Sequence, residues 1–200
     1  MKDGKSKNTL PGPKPDLENK DSKNQVGFNP AFFFTVMSTS LKNLSSYDPG
    51  SIPDATGMTI GIIVSEWNES VTNSLAQAAV DTLVKHGVRD QDILLHHVPG
   101  SFELPQGGQF LFETTNPDAI ILIGCIIQGE TRHFDFICQA VAQGCKDLGM
   151  KYNKPSIFGV LTTNDLRQAL DRSGGKHGNK GIEAAVTAIK MVDLNRRLSR

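Results

Sequence analysis

The chain reads Ala119-Ile-Ile-Leu-Ile-Gly-Cys-Ile-Ile-Gln-Gly-Glu-Thr-Arg-His133 near its centre. Its apolar first part, Ala119–Ile127, ends before Gly129 and a short polar segment, and a helical apolar pattern then opens at His133. This order predicts a strand that runs through a loop into the N-terminus of a helix. The junction favours binding of an anion, because unpaired backbone N–H groups and the positive end of the helix dipole meet there.

Strands and helices alternate on both sides of this stretch. The sequence predicts strands at 59–65, 93–97, 119–127 and 156–161. It predicts helices between residues 71 and 87, at 103–113, 134–148 and 165–172, and between residues 182 and 189. Strands connected in this way pair in parallel through right-handed crossovers. We therefore expect an α/β domain, a three-layer αβα sandwich with a four-stranded parallel sheet of the flavodoxin-like kind, in which ligands bind at the carboxyl ends of the strands.

The N-terminal part of the chain has a different composition from the rest. Residues 1–36 are predicted to be a disordered tail, because they are rich in Lys, Asn, Asp, Gly and Pro and have few apolar side chains to bury. Met37 is a candidate for an alternative translation start, which the sequence leaves open. Residues 37–57 are predicted to form an N-terminal arm and residues 58–200 the single domain, which agrees with the one core expected for 200 residues.

Composition and charge argue against several classes of protein. The net charge is zero, whereas proteins that bind nucleic acids or anionic membranes require clustered Lys and Arg. The three cysteines, Cys125, Cys138 and Cys145, lie in apolar contexts without metal-ligand spacing, which favours reduced core residues in a cytoplasmic protein. No stretch approaches the roughly 18 apolar residues of a membrane span. No signal peptide is recognised either.

Polar and aromatic residues follow the first two predicted strands. Trp67 could stack on a planar ring, or it could cap the following helix. Ser101 offers a hydroxyl group and Glu103 a carboxylate, which suits a polyhydroxy or amide ligand. The alternative is that these two residues only cap the next helix.

Histidine and cationic residues follow the later strands. The imidazole of His133 can accept or donate a proton near neutral pH, which makes it the candidate proton-transfer residue. A zinc site that includes this histidine is disfavoured, because no pair of ligands has the local spacing of such sites. Arg172 could bind phosphate bidentately, or it could satisfy carbonyl groups at the end of a helix. Lys176, His177 and Lys180 add positive charge to the same segment.

Four motifs, taken together and in order, resemble the lumazine synthase family. They are Ser101-Phe-Glu103 after Pro99-Gly100, Gly129-Glu-Thr-Arg-His133-Phe-Asp, Phe158-Gly-Val-Leu-Thr162 and Gly175-Lys-His-Gly-Asn-Lys-Gly181. The resemblance extends from about Met58 to Leu194. It implies a transferase of riboflavin biosynthesis that needs no cofactor and no metal. This enzyme would condense 5-amino-6-(D-ribitylamino)uracil with 3,4-dihydroxy-2-butanone 4-phosphate to 6,7-dimethyl-8-ribityllumazine, phosphate and water.

The resemblance also implies roles for individual residues on the pyrimidine side of the site. Trp67 stands where the family stacks an aromatic ring on the pyrimidine, and His133 matches the proton-transfer residue. The residues that match the ribityl-binding part are Asn68, Ser101, Phe102 and Glu103. The family segment whose backbone contacts the edge of the pyrimidine is matched here by Cys125, Ile126 and Ile127.

On the phosphate side, the resemblance implies a site shared between subunits. Glu130 and Thr131 match the phosphate loop, and Arg172 matches its cationic partner. In the family, the positions of Phe158 and Arg172 are supplied by the adjacent subunit. Lys180 matches a lysine close to the ligand, and Arg132 adds a second candidate cation.

The resemblance further implies a homopentameric ring. The short link Gly174-Gly175-Lys176, and Pro53 in the arm, resemble members whose pentamers build a sixty-subunit icosahedral capsid. The sequence leaves open whether assembly stops at the pentamer or continues to the capsid.

Other functions remain open at this point. An archaeal-type riboflavin synthase shares the fold but dismutates two lumazines. A non-catalytic shell protein that binds lumazine or flavin would share the architecture, although it would need neither His133 nor Arg172. A flavodoxin-like electron carrier is disfavoured, because Glu66-Trp-Asn-Glu-Ser after the first strand lacks a phosphate cradle rich in glycine and hydroxyl groups.

Overall fold

Four parallel strands form the centre of the fold, with helices on both faces of the sheet. The computed structural model describes residue 1 and residues 47–199. The strands are β1 (Ile60–Ser65), β2 (Ile93–Val98), β3 (Ala119–Ile127) and β4 (Ser156–Thr163), in the order β2-β1-β3-β4. The helices are α1 (Glu69–Lys85), α2 (Leu104–Thr114), α3 (His133–Tyr152), α4 (Leu166–Leu170) and α5 (Lys180–Leu198). The predicted three-layer αβα sandwich with a parallel sheet is confirmed.

Shorter elements connect these layers. An antiparallel hairpin consists of β5 (Ser173–Gly175) and β6 (Gly178–Asn179). The 3₁₀ helices are Pro49–Ser51, Asp90–Asp92 and Ser101–Glu103. None of the helices within residues 47–199 is both long enough and apolar enough to cross a membrane. The predicted tail beyond residue 1, and the arm up to residue 46, lie outside the described residues.

Strand β3 is apolar throughout because both of its faces are covered. Ile121 and Ile123 pack into the core on the side of α1 and α5. Ile120 and Leu122 pack on the other side, against α2 and α3. Successive side chains of a strand point to opposite faces, so a strand between two helical layers must be apolar at every position. Burial of each such side chain stabilises the fold by about 1.5–3 kcal/mol.

Helices α1 and α5 approach each other closely at one point. A Cβ atom on Gly181 would lie 1.9 Å from the carbonyl oxygen of Leu75. The first turn of α5 therefore rests on the backbone of α1, and only glycine fits at this position. The side chain of Asn179 caps α5 by accepting a hydrogen bond from the Gly181 N–H at 2.8 Å.

Two local features differ from the sequence predictions. Helix α3 continues past Gly149 to Tyr152, and it ends where Asn153 takes the left-handed conformation at φ 49°. Gly149 instead allows the chain that follows α3 to pass close to the helix, because a Cβ atom there would lie 3.2 Å from the Lys154 carbonyl oxygen. The segment expected to be a plain link before α5 forms the β5–β6 hairpin, and Gly174 and Gly178 have positive φ values of 123° and 74°.

Candidate active site

A cavity of about 750 Å³ lies at the carboxyl ends of β1, β2 and β3. This is the edge at which a ligand is expected in a parallel α/β sheet. Its volume lies within the range of small-molecule sites. The residues that line it are Trp67, Asn68, Pro99, Gly100, Ser101, Phe102, Glu103, Cys125, Ile126, Ile127, Gly129, Thr131, His133, Phe134 and Ile137.

Trp67 forms an exposed aromatic wall of the cavity. Its side chain is 74% exposed, although it lies in a turn that is held firmly at the backbone. The N–H of Trp67 donates to the Pro99 carbonyl at 3.3 Å, and the preceding N–H of Glu66 donates to the Val98 carbonyl at 2.9 Å. An indole ring that the chain leaves uncovered beside a cavity is available for stacking on a planar ligand.

Asn68 connects the end of β1 to the end of β3. It has left-handed backbone angles, φ 60° and ψ 44°, which asparagine tolerates better than most residues. Although it occupies the N-cap position of α1, its side chain makes no capping hydrogen bond. The side-chain amide donates instead to the Cys125 carbonyl at 2.8 Å. This bond fixes the turn that carries Trp67 relative to the backbone of residues 125–127.

The 3₁₀ helix Ser101–Glu103 forms another wall. Neither Ser101 nor Glu103 makes a side-chain capping bond to α2, whose N-cap residue is Glu103 itself. Capping therefore does not account for these two polar side chains. Phe102 lies between them and is 58% exposed. The wall presents a hydroxyl group, a carboxylate and an aromatic ring to the cavity.

The carboxyl end of β3 supplies backbone groups rather than reactive side chains. Cys125 is buried within the core on the side of α1 and α5. Burial raises the pKa of its thiol to about 11, so the thiol stays protonated and unreactive at neutral pH. Cys125 therefore offers the cavity no reactive thiolate at neutral pH.

Cys125 also links stability to pH. Because the pKa of the folded thiol is raised from 9.0 to about 11, its contribution is fully present below pH 9 and is lost as the pH rises towards 11. A shift of this size corresponds to about 3 kcal/mol. We expect the free energy of unfolding in urea to fall less steeply over this pH interval in Cys125→Ala than in the parent chain. Burial also raises the pKa of the half-buried Cys138 thiol, but by less, so Cys138→Ala is a graded comparison that should change the slope less. Equal slopes in the parent and Cys125→Ala would contradict this linkage.

The N-terminus of α3 brings His133 to the cavity. Helix α3 begins at His133, one residue before the predicted start at Phe134, and the imidazole is exposed at the cavity wall. The backbone N–H of His133 donates to the Thr131 hydroxyl at 3.4 Å. Thr131 also lines the cavity, which brings a candidate anion-binding hydroxyl and a candidate proton-transfer group together at one helix N-terminus.

Two charged residues of the same loop are not among the residues that line the cavity. Glu130 is exposed and is not among the lining residues. Arg132 forms an ion pair with Asp135 at 3.7 Å, and its guanidinium carbon lies 5.9 Å from the centre of the Phe136 ring. In this chain, Arg132 is thus held along the outer surface of α3.

Phe158, Arg172 and Lys180 lie outside the cavity of their own chain. Phe158 is 42% exposed on β4, which is an edge strand of the sheet. The guanidinium of Arg172 donates to the Gln168 carbonyl at 3.0 Å, the helix-end contact considered as its alternative role. The ammonium of Lys180 pairs with the Glu183 carboxylate at 2.7 Å, and its backbone N–H donates to the Arg172 carbonyl at 2.9 Å.

Some cavity residues were not predicted as site residues. Phe134 and Ile137 belong to the first turn of α3, and they line the cavity together with His133. Ile137 is four residues from His133 and three from Phe134, spacings that bring side chains together on a helix surface, and the sequence did contain this signal. Within residues 47–199, no group of three or more His, Cys, Asp or Glu side chains is placed to hold a metal ion.

Comparison with known proteins gives consistent matches over this region. A family model described as 6,7-dimethyl-8-ribityllumazine synthase matches residues 57–196. A protein of that name from Parabacteroides distasonis is 52% identical over 159 residues, which cover 80% of this chain and 99% of the relative. One from Cytophaga hutchinsonii is 55% identical over 156 residues, which cover 78% and 98%. One from Flavobacterium johnsoniae is 51% identical over 163 residues, which cover 82% and 86%.

Proposed function

The chain belongs to the 6,7-dimethyl-8-ribityllumazine synthase family, and from this we propose how its cavity works. The protein condenses 5-amino-6-(D-ribitylamino)uracil with 3,4-dihydroxy-2-butanone 4-phosphate to 6,7-dimethyl-8-ribityllumazine. It is a transferase of riboflavin biosynthesis. The observation that carries this function is the family match across residues 57–196, which includes every residue that lines the cavity.

The reaction consists of proton transfers and carbon–nitrogen bond formation without a redox step. The 5-amino group attacks the ketone, and the adduct loses a first water to give an imine. Loss of a proton from the neighbouring carbon expels phosphate and gives an enol. This enol takes up a proton at its terminal carbon and loses the hydroxyl proton, which leaves a methyl group and a new carbonyl group. The ribityl-bearing amine attacks this carbonyl, and loss of a second water closes the ring. Holding both reactants together supplies much of the acceleration, because orientation alone gives effective molarities of about 10⁵ M or more.

We assign the pyrimidine substrate to the walls that this chain supplies alone. Its ring stacks on the exposed indole of Trp67, and its edge meets backbone groups of residues 125–127. The Asn68 amide already donates to the Cys125 carbonyl, which leaves its side-chain oxygen to accept a ribityl hydroxyl group. Ser101 and Glu103 provide the hydroxyl and carboxylate groups that suit the rest of the polyol chain.

We assign the butanone phosphate to the N-terminus of α3. Thr131 and the exposed backbone around Gly129 receive the phosphate, and His133 exchanges protons with the reacting amine and carbonyl groups. A phosphate dianion also needs a cation, and Arg172 does not reach the cavity of its own chain. We therefore assign this cation, together with Phe158, to an adjacent subunit.

Several large apolar side chains support such an assembly. Phe136 on α3 is 62% exposed, and Phe110 on α2 is 57% exposed. Helices α2 and α3 pack side by side, and exposed apolar side chains on adjacent elements can form a continuous surface for contact with another molecule. A head-to-tail ring of identical subunits would cover them and complete each site with a neighbour. We propose a homopentamer in the cytoplasm, with an icosahedral capsid as its higher assembly.

A direct assay tests the reaction. The purified chain is mixed with both substrates, and growth of the lumazine absorbance is followed. Formation of product only when both substrates are present supports the proposed function, whereas no product would overturn it. Incubation with the ribityllumazine alone tests the riboflavin synthase alternative, which the relatives do not favour, because only that enzyme would form riboflavin from it.

The shared site predicts complementation between two defective variants. In mixed rings of His133→Ala and Arg172→Ala subunits, a site is intact wherever an Arg172→Ala chain provides His133 and its neighbour provides Arg172. Random mixing gives roughly a quarter of intact sites. We expect co-refolded mixtures, assayed at low butanone phosphate, to recover about that fraction of the parent activity.

Two controls make the complementation decisive. Each variant is refolded alone and then mixed without unfolding, which should leave its activity unchanged. Mass measurement verifies that mixed rings have formed. Verified mixed rings without a gain in activity would contradict the shared site, and light scattering that reports only monomers would contradict the ring.

A further inference from the structure

Ser65 carries a buried hydroxyl group that the proposed reaction does not use. It is the last residue of β1 and is 0% exposed. Its oxygen has no hydrogen-bond partner among residues 47–199. It is the one fully buried side-chain nitrogen or oxygen atom in those residues that lacks such a partner. Most buried polar groups in proteins have a hydrogen-bond partner, so the unpaired hydroxyl group of Ser65 needs an explanation.

Ser65 lies at the carboxyl end of β1, two residues before the first residue that lines the cavity. Side chains alternate along β1, so Ser65 lies on the same face as Ile63, which packs on the side of α2. In the register of β1 and β3, Val64 pairs with Ile123, which brings Ser65 beside Gly124. The 3₁₀ helix Ser101–Glu103 contacts both of these strands.

Gly124 leaves room for a second hydroxyl group at the same place. A Cβ atom on Gly124 would lie 2.7 Å from the Ser101 hydroxyl oxygen. The Ser101 hydroxyl group therefore rests on the bare backbone of β3, on the face to which Ser65 also points. Ser101 lines the cavity whereas Ser65 does not, so any effect of Ser65 on a ligand must pass through a neighbour such as Ser101.

We propose that Ser65 is a positioning residue for the polyol chain of the pyrimidine substrate. With that substrate bound, the Ser65 hydroxyl donates to the Ser101 oxygen, and the Ser101 hydroxyl donates to a ribityl hydroxyl group. The proposal rests on the proposed function, because it requires a polyhydroxy substrate at Ser101. It explains why the chain keeps a hydroxyl group that is unfavourable without ligand: the bond forms only in the complex.

Kinetics and stability of Ser65→Ala test this role together. Loss of one neutral hydrogen bond should raise the KM of the pyrimidine about 3- to 10-fold, with the KM of the butanone phosphate and kcat unchanged. Removal of an unpaired buried hydroxyl group should raise the Tm of the ligand-free protein by about 2–4 °C. A purely structural hydroxyl group would not produce this combination of weaker substrate binding and higher stability.

A double-mutant cycle tests the path through Ser101. In a Ser101→Ala background, adding Ser65→Ala should change the KM of the pyrimidine less than about twofold, because the two hydroxyl groups act in series. Ser156→Ala is the matched control: its hydroxyl group lies 3.3 Å from the Cys145 sulfur, and it stands at the opposite end of the sheet. Both KM values should stay unchanged in this control, and the Tm should not rise.

Two results would overturn the proposal while the parent chain still forms lumazine. One is a Ser65→Ala enzyme with an unchanged KM for the pyrimidine. The other is a double variant in which the effects of the two substitutions multiply. If the parent chain itself forms no product from the two substrates, the proposed function fails and this inference fails with it.

Discussion

Replacing His133 with alanine is expected to lower kcat about 100-fold, with the fold and assembly unchanged. The imidazole is exposed at the cavity wall and packs into neither core, so its removal costs little stability. The remaining activity should come from orientation of the two substrates, which the variant keeps. Steady-state kinetics with both substrates at saturation measures this effect.

His96→Ala is the matched control for loss of an exposed imidazole. His96 lies on β2 and does not line the cavity, so its replacement should leave kcat unchanged. Circular dichroism and light scattering check that both variants fold and assemble. An unchanged kcat in His133→Ala would remove this residue from the mechanism.

Replacing Arg172 with alanine is expected to raise the KM of the butanone phosphate about 10- to 100-fold. A charge-assisted hydrogen bond to phosphate is worth about 1.5–3 kcal/mol, and only this substrate carries a phosphate group. The KM of the pyrimidine should change little. Initial rates measured over a matrix of both substrate concentrations separate the two effects.

A second variant separates phosphate binding from the helix-end contact of Arg172. The guanidinium donates to the Gln168 carbonyl, a bond that an uncharged amide donor can replace. If Arg172 binds phosphate, Arg172→Gln should resemble Arg172→Ala in its KM values. Arg167→Ala, which removes an exposed arginine of α4, controls for loss of positive charge. Equal increases in both KM values would instead indicate a helix-end or folding defect.

The layers of the fold follow from apolar patterns that can be recognised in the sequence. Residues 119–127 were predicted as a strand, and β3 has these bounds, because a strand covered on both faces is apolar at every position. The start of α3 was predicted to within one residue, at Phe134 where the helix begins at His133. The end of that helix was predicted wrongly at Gly149. This glycine lets the following chain pass close to the helix and does not end it.

The details of the site depend on contacts between distant parts of the chain. The hydrogen bond from Asn68 to the Cys125 carbonyl joins residues 57 positions apart, and no local sequence pattern predicts it. The unpaired hydroxyl of Ser65 is visible only once the packing around it is known. The resemblance to a family supplied Phe158 and Arg172 as site residues, and their roles stay predictions because they concern a second subunit.

The Asn68 bond also determines where binding of the pyrimidine costs entropy. Because the turn that carries Trp67 and the backbone of residues 125–127 are already held together in the ligand-free fold, the substrate does not have to order this backbone. The freedom lost on binding is then mainly that of the rotatable ribityl chain. An inhibitor that keeps the flat ring but replaces this chain with a rigid, correctly shaped polyol would gain affinity from the rotations that it no longer has to lose.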